Sequence, residues 1–548
     1  MLVRVGSQCL AQPLARVFPV SEHGALGDAP LPHGSPSGRA SLQGEPSSGA
    51  GYGFTVTAYA EMLDRYREVA ALRASANLLG WDQQVLMPQG GSAARAAHSG
   101  RLRRLAHERL TDDAMLRAAE HATSEVDPES DEGRTVAALR RELETETKMP
   151  TEMVVRKARL SSEAYEAWKV AKANDDFPLL APHLEGLFEV ARETAEALGY
   201  AEHPYDALID LFERGATYAE ARATFDAIKG PIVEMVREIG AKPPIDDSAL
   251  RGAFDPERLR RFSQGAAEGC GFDFGRGNLS LCTNAFCSNL GSTDVRMTAR
   301  PSDHVKGVVS SSLHEMGHGL YEQGSPAAWN DTPLGGGISL ALHESQSRLW
   351  ENVIGRSRGF WTRFLPSLKA EFPGIGLDVD GMVRAMNKVQ PELVRVGADE
   401  LTYNLHILVR FELEVEIVTG HLAIRDLPEA WNAKYEAYLG LTPPTDGLGC
   451  IQDVHWSRGS VGYFPTYTFG NLIGLQIWEA LLKDIPDPDA LMANGNFAPI
   501  LGWLSERIYA QGKRYEPREL VTRVTGSPMR PDAWLRYARA KYGAQYGL

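Results

Sequence analysis

Over most of its length the chain repeats apolar side chains at three- and four-residue steps. Tyr59, Leu63, Tyr66, Val69, Ala70 and Leu72 set the pattern, which persists from Thr57 to about Ala241. This period gathers apolar groups on one helix face and leaves charged residues, with many Glu/Arg pairs at helical spacing, on the others. Pro88 with Gly90 and Gly91, the Met149-Pro150 step and Pro178 punctuate the run without opening a linker. After Ser302 the same pattern resumes and continues to the end, with breaks expected at Gly335–Gly337, Pro366, Pro443-Pro444 and Pro528. Between the two runs, from Phe272 to Thr298, Gly, Asn and Ser separate short alternating apolar segments, the texture of a small strand-and-turn insertion. The expectation is one large, mainly α body over residues 57–548, shaped around a groove and carrying a small β patch.

Residues 1–56 differ. From Ser21 to Gly53 they are rich in Gly, Ser, Pro and Ala and bury too little to offset their ordering entropy, so 1–56 reads as a disordered or mis-assigned N-terminal extension. The first twenty residues carry two Arg and no acid, as a targeting peptide would, but lack the apolar core and small-residue cleavage site of a secretion signal. The full chain of 548 residues holds 57 Lys+Arg against 71 Asp+Glu, a net charge of -14. Three basic and three acidic residues cancel within 1–56, so the negative charge belongs to the helical body. Such a body lacks the basic face of a general nucleic-acid binder. No segment approaches the roughly 18 apolar residues of a membrane span. Five cysteines are too few for a disulfide scaffold, and their odd number fits a reducing, cytoplasmic location.

The chemistry is concentrated in His314-Glu315-Met316-Gly317-His318, an HExxH pattern inside a helical stretch. Two His at i and i+4 project from one helix face about one turn apart, so both imidazoles can reach one ion. Glu315 lies about 100° around the helix, beside that ion, where water would sit. A catalytic zinc needs a third protein ligand. Glu344, 26 positions after His318 and beyond a glycine hinge, is the choice. His343 is its competitor, but adjacent helical residues diverge by about 100°, so His343 is read as supporting the site or facing substrate. Zinc chemistry would supply an activated water near neutral pH and a polarised carbonyl, with Glu315 as the base. The developing oxyanion also needs donors, and the late segment around His455, Trp456, Tyr463 and Tyr467 concentrates them.

Several motifs together make a specific resemblance. Asp294 to Thr298 reads D-x-R-x-T, and His343-Glu344-Ser345-Gln346 follows the HExxH element. Val394 to Asp399 reads I-R-x-x-A-D with Val for Ile, and Gly449 to Trp456 reads G-x-x-Q-D-x-H-W. In this order they resemble the Taq-carboxypeptidase-like family of metallocarboxypeptidases, across about residues 57–548. That family is similar in architecture to neurolysin and angiotensin-converting enzyme, helical folds with a deep substrate groove. The resemblance implies a zinc carboxypeptidase that removes single residues from free peptide C-termini with broad specificity, accepts cobalt or manganese in some members, and forms homodimers. Carried over by position, His314, His318 and Glu344 bind metal and Glu315 is the general base.

A carboxypeptidase must also hold a free carboxylate, which suits the planar fork of Arg. Arg395 is the first candidate and Arg296 the second, although Arg296 could simply pair with Asp294. One departure stands out: where the family usually has H-P-F, this chain has Asn284-Ala285-Phe286. The change leaves the metal-binding pattern intact and bears on the closed end of the groove and on substrate length. Cys282 and Cys287 nearby are read as structural thiols. The alternatives are an oligopeptidase or dipeptidyl carboxypeptidase on the same scaffold, and a catalytically silent peptide-binding protein.

Overall fold

The computed structural model describes residues 57–548. The expected extension, residues 1–56, lies outside the described residues. Among those described are twenty α-helices and one three-stranded sheet. Helix starts follow the local chemistry. Thr57, Asp112, Ser130, Thr217 and Asp255 each accept a backbone N–H of the first turn through their side chains. Pro178 does not interrupt its helix. It lies in the first turn of Phe177–Leu198, where a missing N–H costs nothing. Pro366, expected as a break, lies inside the helix Arg358–Glu371. That helix buries Phe360, Trp361, Phe364, Leu365 and Leu368 on one face, and this burial outweighs the lost hydrogen bond. No helix among the described residues is long and apolar enough to cross a membrane.

Two hydrophobic cores result. The N-terminal helices enclose a small one around Met62, Val69, Leu110, Met115, Leu139 and Leu143. The rest of the body encloses a large one that includes Trp350, Trp361, Trp431 and Trp534. The strand-and-turn segment forms β1 (Gly277–Leu281), β2 (Cys287–Asn289) and β3 (Val295–Ala299). β3 is central, parallel to β1 and antiparallel to β2, so β2 is an edge strand. Val295, Met297 and Ala299 of β3 are fully buried.

The helix Val305–Gly324 carries the HExxH residues and buries most of its circumference. Two of its glycines set how closely its neighbours approach. A Cβ on Gly319 would fall 2.7 Å from the Phe272 ring and 3.1 Å from Met297 Sδ beneath the sheet. A Cβ on Gly317 would fall 2.5 Å from the Gln346 carbonyl oxygen, on the helix Leu340–Arg348. That second helix is pressed from its other side by Pro465–Asp484, where a Cβ on Gly470 would fall 2.7 Å from Glu344 Cβ. Its N-terminus is fixed by Ser339, which accepts the Leu342 N–H, and by the buried carboxylate of Glu213, which accepts the Ala341 N–H at 2.9 Å. The helix then widens into a π-helical turn, Leu349–Ile354.

Gly317→Ala should therefore force the two helices apart and cost about 1–3 kcal/mol, as overpacking does. Urea unfolding checks this against Gly265→Ala, a helical site with nothing within 4 Å of the added carbon, which should not destabilise.

Candidate metal centre

His314 and His318 occupy successive turns of one helix face, with ring centroids 4.9 Å apart. Glu344 crosses to them from the second helix: its Oε2 lies 3.6 Å from Nε2 of His314 and 3.6 Å from Nε2 of His318. Ligand atoms from all three residues lie within 4.8 Å of one another. The opposite ring nitrogens are engaged by protein: Nδ1 of His314 is 3.0 Å from Glu351 Oε2, and Nδ1 of His318 is 2.7 Å from Nδ1 of His343. Each Nε2 thus faces the shared space. Two imidazoles and one carboxylate are the donor set of a catalytic zinc site with its fourth position free, so the residues present fit a divalent ion of that kind.

The carboxylates around this space are sharply differentiated. Glu344 is buried; its Oε1 accepts Arg348 Nε at 2.6 Å, which leaves Oε2 toward the histidines. Burial alone would raise Glu351, but Arg348, His314 and Arg356 hold it far below the ordinary carboxylate range. Glu315 has no such cation bound to it. Burial, reinforced by Glu344 and Glu351 against the pull of His314, pushes it up to about 7. A dication at the cluster would favour its ionised form.

His455, Tyr463 and Tyr467 form an aromatic group at the start of the Pro465–Asp484 helix. His455 Nε2 is 3.3 Å from Tyr467 Oη, and the Tyr463 and Tyr467 rings meet edge to face at 5.3 Å. Tyr467 lies one turn before Gly470, the residue packed on Glu344. Burial pushes Tyr463 up to about 12 and lowers His455 to about 3, so at neutral pH the phenol is protonated and the imidazole uncharged.

Neither arginine candidate stands alone. Arg395 is buried, with its Nε and Nη2 on Asp453 and its Nη1 2.8 Å from Tyr403 Oη. Arg410 shares Asp453 at 2.6 Å, and Gln452 Oε1 accepts from both the Arg395 backbone and Arg410 Nη2. Arg395, Arg410 and Asp453 together carry a net +1, behind the Tyr467 ring that Arg395 overlies at 5.0 Å. Arg296 makes a two-pronged pair with Asp294 and stacks 4.7 Å over Trp81. At the altered Asn284-Ala285-Phe286 turn, Thr298 holds the backbone from inside: Oγ1 accepts the Phe286 N–H at 2.8 Å.

Sequence reading passed over four residues that the structure brings into the site. Glu322 accepts from His343 Nε2, Glu351 binds His314, Arg348 binds Glu344, and Tyr403 meets Arg395. Two had a helical signal. Glu322 follows His318 by four residues and Arg348 follows Glu344 by four, so each pair shares a helix face.

The helical body and this donor set define a helical metallopeptidase. Residues 61–542 match the family described as carboxypeptidase Taq (M32) metallopeptidase. Thermostable carboxypeptidase 1 of Thermus thermophilus is 39% identical over 506 residues, covering 89% of this chain and 99% of that protein. Carboxypeptidase 1 of Bacillus subtilis is 36% identical over 495 residues, covering 89% and 98%. The M32 carboxypeptidase of Deinococcus radiodurans R1 superposes with a TM-score of 0.86 at 37% identity, covering 90% of this chain and all of that one. A Pyrococcus furiosus carboxypeptidase superposes with a TM-score of 0.86 at 35% identity, covering 89% and 99%. The chain belongs to the M32 family of metallocarboxypeptidases. It is a peptide hydrolase, and the family's chemistry uses a divalent metal.

The Arg395–Asp453–Arg410 triad yields a stability prediction. Asp453→Asn would leave two buried guanidiniums without a counter-charge, and breaking a buried ion pair costs about 3–5 kcal/mol. Urea denaturation should show a loss of that order, whereas Asp294→Asn, at a more exposed pair, should lose about 1 kcal/mol or less.

Proposed function

We propose that this enzyme is a zinc-dependent carboxypeptidase that releases single residues from the free C-termini of peptides, with broad specificity. His314, His318 and Glu344 would hold the ion, and Glu315 would act as the general base. The observation that carries this reading is the convergence of both Nε2 atoms and Glu344 Oε2, while each Nδ1 is tied back to protein.

When bound, the ion supplies Lewis acidity: it activates water as a nucleophile near neutral pH and polarises the scissile carbonyl. Glu315 takes the proton of the attacking water onto its carboxylate and delivers it to the departing amine. Burial raises the proton affinity of Glu315 and a bound dication would favour its ionised form, and a base for the attacking water must start ionised. Tyr463 and Tyr467, held protonated by burial, donate O–H hydrogen bonds to the tetrahedral oxyanion. His455, uncharged, would donate from Nε2 to the Tyr467 oxygen, which leaves the single phenol proton free for the oxyanion. The net +1 of Arg395, Arg410 and Asp453 favours a substrate carboxylate at that end of the site, with Arg395 as the residue nearest the tyrosines. His343, expected to support the site or face substrate, has both ring nitrogens engaged by His318 and Glu322 and none left for a substrate. Arg296 would shape the wall beside Trp81.

Zinc as the native ion, with cobalt or manganese as substitutes, is part of the proposal, as are a homodimeric state and a cytoplasmic location. The donor set supports the metal, and the family resemblance supports the dimer. No nucleic-acid or membrane partner is proposed.

Mass spectrometry of a peptide-library digest should show ladders one residue apart from the C-terminus. Release of dipeptides or internal fragments would instead support the dipeptidyl carboxypeptidase or oligopeptidase reading. Chelation should abolish hydrolysis, and zinc or cobalt should restore it. Glu315→Gln should lower kcat by about 10²–10⁴, the usual range for a general base, with metal content by elemental analysis unchanged. A mutant as active as wild type would refute the mechanism. Arg395→Ala should raise KM for free-acid peptides far more than for C-terminal amides, whereas equal effects would remove its carboxylate role.

A further inference from the structure

We propose that His343 and Glu322 are positioning residues that orient His318 through a directed chain of hydrogen bonds, while His314 is oriented by a carboxylate directly. This rests on the reading of His314, His318 and Glu344 as metal ligands. Nδ1 of His318 and Nδ1 of His343 lie 2.7 Å apart. At that distance one must carry a proton and the other a lone pair. A metal ligand at Nε2 must present its lone pair there, so the proton of neutral His318 sits on Nδ1. His343 Nδ1 is therefore the acceptor, and the proton of neutral His343 is on Nε2.

His343 Nε2 is 2.5 Å from Glu322 Oε1, so the chain continues as an N–H donated to a carboxylate. The other carboxylate oxygen, Oε2, accepts from Asn289 Nδ2 on the edge strand β2. Glu322 is buried and thus fastened at both oxygens. The imidazole of His343 packs closely on the Gly337 backbone and beside Tyr321. A Cβ on Gly337 would fall 2.5 Å from its Cδ2, and the Tyr321 ring lies 5.1 Å away on centroids. The order Glu322, His343, His318 thus admits one direction of donation. Reversed, it would place a proton on His318 Nε2, toward the shared space, and that ring could bind no ion.

His314 shows the contrast. Its Nδ1 meets Glu351 directly at 3.0 Å, and Glu351 also receives Arg348 at 3.2 Å and Arg356 at 2.8 Å. Glu344 and His343 are neighbours in sequence, yet they serve opposite sides of His318: Glu344 offers Oε2 beside its Nε2, and His343 offers Nδ1 beside its Nδ1. The helix Leu340–Arg348 therefore delivers a metal ligand and the support for another ligand from consecutive positions.

The test measures zinc affinity by chelator competition and the visible spectrum of the cobalt-substituted full-length protein. The variants are His343→Leu, His343→Asn and Glu322→Gln, with His318→Ala as reference. His343→Leu should weaken zinc binding about 10–100-fold, the usual effect of losing a ligand's hydrogen-bond partner, and should alter the cobalt bands. His343→Asn puts an amide oxygen near the place of Nδ1, so it should recover most of the affinity. Glu322→Gln should weaken binding by a smaller factor. Wild-type affinity and spectrum in His343→Leu, or an Asn variant no better than Leu, would overturn the proposal. If His318→Ala itself keeps wild-type zinc binding, the metal-site reading fails at its root, which is a separable result. Circular dichroism of the apo-proteins checks folding. Should His343→Leu not fold, the comparison of Glu322→Gln with wild type decides, and unchanged affinity and spectrum there would refute the chain.

Discussion

The whole centre depends on how closely three helices approach one another. Leu340–Arg348 is held between Val305–Gly324 and Pro465–Asp484, and in both contacts a glycine faces it: Gly317 on one side and Gly470 on the other. Any side chain at either place would occupy the position of its backbone or of Glu344 itself. Because the approach is this close, the short carboxylate of Glu344 reaches within 3.6 Å of both histidines. The third ligand is thus a product of packing, and the glycine in HExxH is as much a part of the site as the histidines. The sheet contributes to the same arrangement from below, since Gly319 lets Phe272 and Met297 come up against the helix.

Close packing creates an electrostatic problem. Glu315, Glu344 and Glu351 are all buried around one cluster, where Glu344 and Glu351 both act on Glu315, and unpaired buried carboxylates are strongly disfavoured. Arg348 and Arg356 compensate two of them. Arg348 joins Glu344 and Glu351, and Arg356 closes the far side of Glu351. Glu315 has no such cation bound to it, and burial, reinforced by Glu344 and Glu351, raises its affinity for a proton. A metal ion would complete the balance. Around Asp453 the same bookkeeping runs with the opposite sign: two guanidiniums share one carboxylate, and the excess positive charge lies behind the tyrosines.

Much of this was legible before the structure. HExxH encodes its own geometry because i and i+4 are neighbours on any α-helix, so the pairing of His314 with His318 needed no tertiary information. The divergence of adjacent helical residues separates Glu344 from His343, and in the structure Glu344 lies in the cluster with His314 and His318 while His343 lies outside it. The glycine- and asparagine-rich segment was readable as strands and turns. Its order, with β3 central and parallel to β1, was not, because register depends on what the sheet packs against. Pro366 misled for a related reason: local propensity is weak beside the burial of a helix face with Trp361 on it. Arg395 could be recognised as a cation of the right type. That it would be spent largely on Asp453, 58 positions away, and on Tyr403 could not, since partners at such separations are chosen by the fold.

By itself, the sequence determined the helical class, the insertion of strands, the pair of histidines, the glutamate between them and the family. All of these follow from short-range periodicity or from motifs in order, which any helix expresses locally. Only the tertiary structure decided which oxygen of Glu344 faces the histidines, that Glu351 and the Glu322–His343 pair stand behind them, and that Arg395 lies in a triad. Each of these is a contact between elements whose relative placement comes from close packing of glycine faces and from matching charges removed from water, and neither is written in any single segment of the chain.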